Sequence, residues 1–150
     1  MSVARGDTTI LACLGLGSCI ALCMYDPISK LGGMAHIVLP QQDNKDAAPS
    51  PKYADAAVPL LLREMRKSGA PTSRLIVKVV GGAQVATAPG INGVFKIGER
   101  NAEAVREAIA EAGVALAATD IGGHRGRTVR MYLDSGRIVV TTVDRESNDL

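Results

Sequence analysis

Cys19 and His36 are the two residues of this chain whose types and settings could do covalent chemistry. A thiolate is a strong nucleophile, and imidazole is the commonest base near neutral pH. Cys19 follows Gly17 and Ser18, at the point where a turn runs into an apolar stretch. Turn backbone without large side chains leaves peptide N–H groups free to face a substrate. Such groups can form an oxyanion hole, where each donor is worth roughly 3–4 kcal/mol in known cases. Taken alone, Cys19 reads just as well as a small hydrophobe buried at the start of a strand. His36 lies in the apolar run GMAHIVLP and is one of two histidines. It reads either as a core histidine with a satisfied hydrogen bond or as a base. If the two stretches are neighbouring strands, Cys19 and His36 could lie side by side. A nearby imidazole would then favour the thiolate, which is only a few per cent populated in a free cysteine at pH 7.

The other candidates have plainer readings. His124, in GGHRGR, belongs to a glycine-rich loop and is expected in solvent. Cys13 and Cys23 fall on strands and are expected in the core. Residues 15–20, GLGSCI, begin like a dinucleotide fingerprint, but the third glycine is missing and no helix is expected to follow. There is no P-loop lysine motif and no paired metal-ligand spacing, so no cofactor or metal is expected.

The elements that must position the pair are read from periodicity and turn signals. Strands are expected over residues 9–14, 19–25, 34–39, 75–80 and 114–119. A hairpin is expected from 127–133 and 137–143 around Asp134-Ser135-Gly136. A first helix should begin with Ser50 as cap and Pro51 in the first position. Its apolar face is Tyr53, Ala57, Leu60, Leu61 and Met65. Pro59 should kink or break it, and Gly69 should stop it. A second helix, about 99–112, has Glu99 in its first turn, a stripe of Val105, Ala108, Ile109 and Ala112, and Gly113 after its end. Residues 41–50 read as a surface loop, residues 82–98 hold a long loop, and the charged tail from Asp144 should fray. The strand-rich start and the closing hairpin do not suit a regular βαβ alternation. An α+β fold is expected, with helices on one face of mixed or antiparallel sheet.

Composition sets the frame. A chain of 150 residues favours one domain, 1–150, and buries roughly 70% of its unfolded surface without disulfides or metal. It is 47% apolar, with no tryptophan, one phenylalanine and three tyrosines, so the core must be aliphatic. Sparse aromatics argue against base-stacking surfaces. Seventeen basic and fifteen acidic residues leave a net charge of +2, too balanced to imply a polyanion partner. Arg125, Arg127 and Arg130 are expected on a solvated strand face. Three cysteines without a C-x-x-C pair fit neither a disulfide scaffold nor a zinc knuckle. With no leader-like start and no long apolar span, the chain reads as cytoplasmic.

Several motifs in order then give a resemblance. LGLGSCIALCMYD (14–26), GGMAHIVLP (32–40), KYADAAVPLLLREM (52–65), VVGGAQ (79–84), IGERNAEAVRE (97–107) and DIGGHRGR (120–127) resemble CheD, the bacterial chemoreceptor glutamine deamidases. The likeness covers roughly residues 11–143 in one register. It implies Cys19 as nucleophile and His36 as general base, and an α/β sandwich similar to the catalytic domain of cytotoxic necrotizing factor toxins. It also implies glutamine side chains of methyl-accepting chemoreceptors as substrate, and the phosphatase CheC as a partner of some members. The family's third catalytic residue is a threonine, and here that position is Cys13, a weaker hydrogen-bonding group. The run before GLGSC is shorter than in many members, which raises the expectation that a first edge strand is missing or the start differs. On this reading Cys19 attacks a glutamine carboxamide, N–H groups around Gly17 and Ser18 hold the oxyanion, and His36 moves the proton. The rival readings are a non-catalytic adaptor that binds CheC or receptors, and a cysteine peptidase or acyltransferase acting on other amides.

Overall fold

Seven consecutive buried residues, Ile20–Asp26, form the strand on which the molecule is built. A strand apolar on both sides must be covered on both faces. The computed structural model shows how, for residues 1–44, 46–84 and 96–150, which are the residues it describes. In chain order the elements are β1 (Ser2–Arg5), β2 (Ile10–Leu16), β3 (Ile20–Asp26), β4 (Leu31–Ile37), α1 (Ala54–Lys67), β5 (Ile76–Gly81), α2 (Ile97–Glu111), β6 (Leu116–Ile121), β7 (Arg127–Tyr132), β8 (Ile138–Thr142) and β9 (Ser147–Asp149). A short 3₁₀ turn, Thr72–Arg74, precedes β5.

Two sheets result. One has the order β1-β4-β3-β5-β6, antiparallel except for the parallel pair β5 and β6. The other has the order β2-β7-β8-β9 and is antiparallel throughout. Ile20, Leu22 and Met24 of β3 pack against Ala57, Leu61 and Met65 of α1 and Val105 and Ile109 of α2. The alternate residues Ala21, Cys23 and Tyr25 pack on Val129 and Met131 of β7 and Ile138 and Val140 of β8. The layers are therefore helices, five-stranded sheet and four-stranded sheet. The α+β class and the aliphatic core agree with expectation.

Several local expectations are corrected. A first edge strand is present, since Ser2–Arg5 pairs with β4. Helix α1 starts at Ala54, and neither Ser50 nor Pro51 caps it. The backbone there is already engaged: Tyr53 is extended and bridges Leu39, and Lys52 O accepts the N–H groups of Val38 and Leu39. No helical turn can form until that pairing ends. The helix then runs unbroken through Pro59. Pro59 is on the exposed side, where water can take the carbonyl its ring leaves free. Val58 and Leu62 join the buried face, while Ala112 lies exposed as the cap of α2. The tail does not fray from Asp144, because Ser147–Asp149 adds an exposed edge strand to β8. Most of the long loop between Gly82 and Gly98, residues 85–95, falls outside the described residues.

Candidate functional site

The chain crosses from the four-stranded to the five-stranded sheet at residues 17–19. Strand β2 has a register shift between Cys13 and Leu16 against β7, and Gly15 there has φ +63°. The following turn is held by its carbonyls. Gly17 O accepts the Ala83 N–H at 2.8 Å, and Cys19 O accepts the Gly82 N–H at 2.9 Å. Ser18 O accepts from Asn101 Nδ2 at 2.9 Å. Among the described residues, the N–H groups of Gly17, Ser18 and Cys19 have no hydrogen-bond partner. Gly81 allows this close approach: at its φ of +125°, a Cβ would stand 2.2 Å from Cys19 O. Among the described residues, the turn thus has bound acceptors and unpartnered donors.

Strand register settles the relation of Cys19 to His36. Ala21 of β3 lies opposite His36 of β4, and Ile20 lies opposite Ile37. Extending that pairing puts Cys19 two residues before Ala21, on the same face, as a diagonal neighbour of His36. Cys19 is half-buried and packs at the margin of the cluster between the sheets, while Cys13 and Cys23 are buried as expected. His36 is exposed, not enclosed in the core. It opens onto a cleft of about 190 Å³ shared with Ala12, Cys13, Leu14 and Met34. Among the described residues no hydrogen bond orients its ring, and water can serve an exposed imidazole. The structure thus puts Cys13 and His36 on one cleft, which Cys19 does not line; the extended register places Cys19 diagonal to His36 along the neighbouring strand.

Electrostatics differ from the expected thiolate. Burial pushes the Cys19 thiol above its ordinary value. Burial also pushes Cys13 up to about 11, with the N-terminal ammonium opposing and Cys19 adding to the shift. Cys23 is raised further, again by burial. Burial lowers His36, with a smaller contribution in the same direction from the N-terminal ammonium. The shifts of Cys19 and His36 both favour the uncharged form of each group.

Asn101 is the residue that sequence reasoning missed. It is fully buried on α2, and its Nδ2 donates to both Ser18 O and Val38 O, each at 2.9 Å. The available signal was a polar residue one turn before Val105, inside an otherwise apolar stripe. Arg127 was also misread. Its side chain is only 10% exposed, pairs with Asp120 at 3.0 Å and donates to Gly122 O at 2.8 Å. It braces the Gly122-Gly123 loop beside Gly81, whereas Arg125 and His124 are exposed as expected. Among the described residues no three His, Cys, Asp or Glu side chains gather to hold a metal ion. No helix among them is long and apolar enough to cross a membrane.

The family model described as CheD chemotactic sensory transduction matches residues 38–142, which begins after both Cys19 and His36. A protein of Symbiobacterium thermophilum named probable chemoreceptor glutamine deamidase CheD is 41% identical over 152 residues, covering 100% of this chain and 92% of its own. The chemoreceptor glutamine deamidase CheD of Thermotoga maritima is 43% identical over 134 residues, covering 89% of this chain and 82% of its own. A probable chemoreceptor glutamine deamidase CheD of Archaeoglobus fulgidus is 40% identical over 138 residues, covering 92% and 85%. With the family model spanning most of its length and relatives this similar along nearly all of it, the chain belongs to the CheD family.

Proposed function

We propose that this protein hydrolyses selected glutamine side chains of methyl-accepting chemoreceptors to glutamate, with Cys19 as nucleophile and His36 as base. The observation that supports the chemistry is the turn at residues 17–19, where N–H groups without a partner among the described residues accompany a half-buried thiol that the extended register sets diagonal to an exposed imidazole. The relatives' names supply the substrate class.

In this mechanism the Cys19 sulfur attacks the carboxamide carbon while His36 takes the thiol proton. The N–H groups of the turn hold the developing oxyanion. The tetrahedral intermediate collapses, the C–N bond breaks, and His36 returns the proton so that ammonia leaves. His36 then takes a proton from water, which attacks the thioester. The C–S bond breaks, and the products are a glutamate side chain and the free thiol. Because burial favours the neutral form of both groups, the proton moves during attack in this mechanism. No step calls on a cofactor or metal. Chemoreceptor substrates place the reaction in the cytoplasm, and CheC stays a proposed partner.

Cys13 supports a second reading. Its thiol, raised to about 11, is a neutral and weak hydrogen-bonding group where the family has threonine, and His36 has no orienting partner among the described residues. A binding role without catalysis is the alternative this favours. Ammonia release from a purified receptor cytoplasmic fragment separates the two. The parent protein should release ammonia and Cys19→Ala should not. Binding with no ammonia from either protein would establish the adaptor.

A further inference from the structure

Asn101 ties both halves of the proposed site together, and nothing in the mechanism above yet uses it. Its carboxamide is fully buried, and both neighbours of its nitrogen are carbonyl oxygens, Ser18 O and Val38 O. Two acceptors require the donor end of the amide, so the orientation is fixed by chemistry. One NH₂ group has two hydrogens at a set angle and can serve both carbonyls at once. A serine or threonine hydroxyl has only one. The cost is visible at the other end, where Oδ1 is buried with no partner among the described residues. An orphaned buried acceptor is destabilising. An aliphatic side chain at this point of the α2 stripe would avoid that orphan but would leave Ser18 O and Val38 O without their donor, so the asparagine is there to serve those two carbonyls.

The two carbonyls are informative. Ser18 C=O and Cys19 N–H belong to one planar trans peptide, in which they point opposite ways. Anchoring the carbonyl to α2 therefore aims the Cys19 N–H away from α2, toward the side where a substrate oxygen would sit. Val38 follows His36 by two residues and is opposite Cys19 when the β3–β4 register is extended. The same nitrogen thus sets the peptide beside the nucleophile and the strand end beside the base. We propose that Asn101 is a positioning residue for the deamidation, holding the Ser18–Cys19 peptide in the orientation that makes Cys19 N–H an oxyanion donor. This rests on the assignment of Cys19 and His36 made above.

The test compares parent, Asn101→Leu and the nearly isosteric Asn101→Asp, with Cys19→Ala as control. It reads kcat and KM for ammonia release from a receptor cytoplasmic fragment, the rate of Cys19 alkylation by iodoacetamide, and the thermal transition. Alkylation needs a reactive thiol but no oxyanion hole. A misdirected donor should lower kcat by about 10-fold or more, since removing such a donor outright costs roughly 10²–10³. KM and alkylation should stay within about threefold, because neither depends on that donor. If Asn101→Leu does not fold, Asn101→Asp answers by the same readouts. Unchanged kcat in a folded variant would overturn the inference. So would a parallel loss of kcat and alkylation, or a failure of both variants to fold, since each makes Asn101 only a structural staple. An active Cys19→Ala would instead remove the catalytic reading itself, whatever the Asn101 variants do.

Discussion

At the Asp26 end of β3 both oxygens of a buried carboxylate are engaged. Asp26 accepts from Ile28 N–H at 3.1 Å, Ser29 Oγ at 2.7 Å, and Arg74 Nε and Nη2 at 3.2 and 2.6 Å. At the Cys19 end, seven residues away along the same chain, three N–H groups have no partner among the described residues, Asn101 Oδ1 is orphaned and His36 has an unheld ring. Buried polar groups are normally satisfied, and exceptions call for an explanation. One end of the strand commits its polar groups to the fold. The other leaves them without partners among the described residues.

The contrast can be broken by mutation from either side. Cys19→Ala should lower ammonia release at least ~10³-fold, as loss of a covalent nucleophile does, with the unfolding midpoint in denaturant nearly unchanged. Arg74→Ala should do the reverse. It leaves Asp26 buried without its cation, which costs about 3 kcal/mol by analogy with other broken buried pairs. Chemical denaturation should show that loss, and the kcat of the folded protein should hold.

pH sharpens the same comparison. Burial works against the Asp26 charge, but its bonds from Arg74, Ser29 and the Ile28 N–H prevail and hold its carboxyl below the ordinary value. The lowered acid contributes stability that is fully present above the ordinary Asp value of about 3.9 and is lost as pH falls through the lower folded value. Urea titrations between neutral and acid pH should show this, and Asp26→Asn should flatten it. At the other end His36 is lowered, so it stays neutral down to a lower pH than a free imidazole, as the proposed base would need. The acid limb of kcat/KM should therefore fall below the ordinary histidine value of about 6.5. A limb above that value would contradict the lowered base. The smallest expected effect is at Cys13. Cys13→Thr supplies a stronger hydrogen-bonding group near His36 and should raise kcat about threefold to tenfold, the worth of one ordinary hydrogen bond.

What the sequence showed and what it hid divide along the range of the interactions. Strand β3, the hairpin at Asp134-Ser135-Gly136 and helix α2 with Glu99 in its first turn and Gly113 after it all rest on local signals, and they stand where expected within a few residues. Cys19 and His36 were visible by residue type, and the register confirms that their strands are neighbours. The division into two sheets was hidden, because β2 pairs with β7 more than a hundred residues later. The start of α1 was hidden for a related reason, since the Leu39–Tyr53 bridge overrides a good capping signal. Arg127 was misjudged because polarity argued for solvent, and Asn101 passed unread, since their partners are backbone carbonyls and Asp120 brought near only by the fold.

The most direct measurement of the central claim is the intact mass of a receptor cytoplasmic fragment after incubation with this protein, beside a Cys19→Ala control. A gain of about one dalton per converted glutamine, absent with Cys19→Ala, is the result expected of thiol-dependent amide hydrolysis. An unchanged mass with the parent protein, or an equal gain with Cys19→Ala, would contradict it.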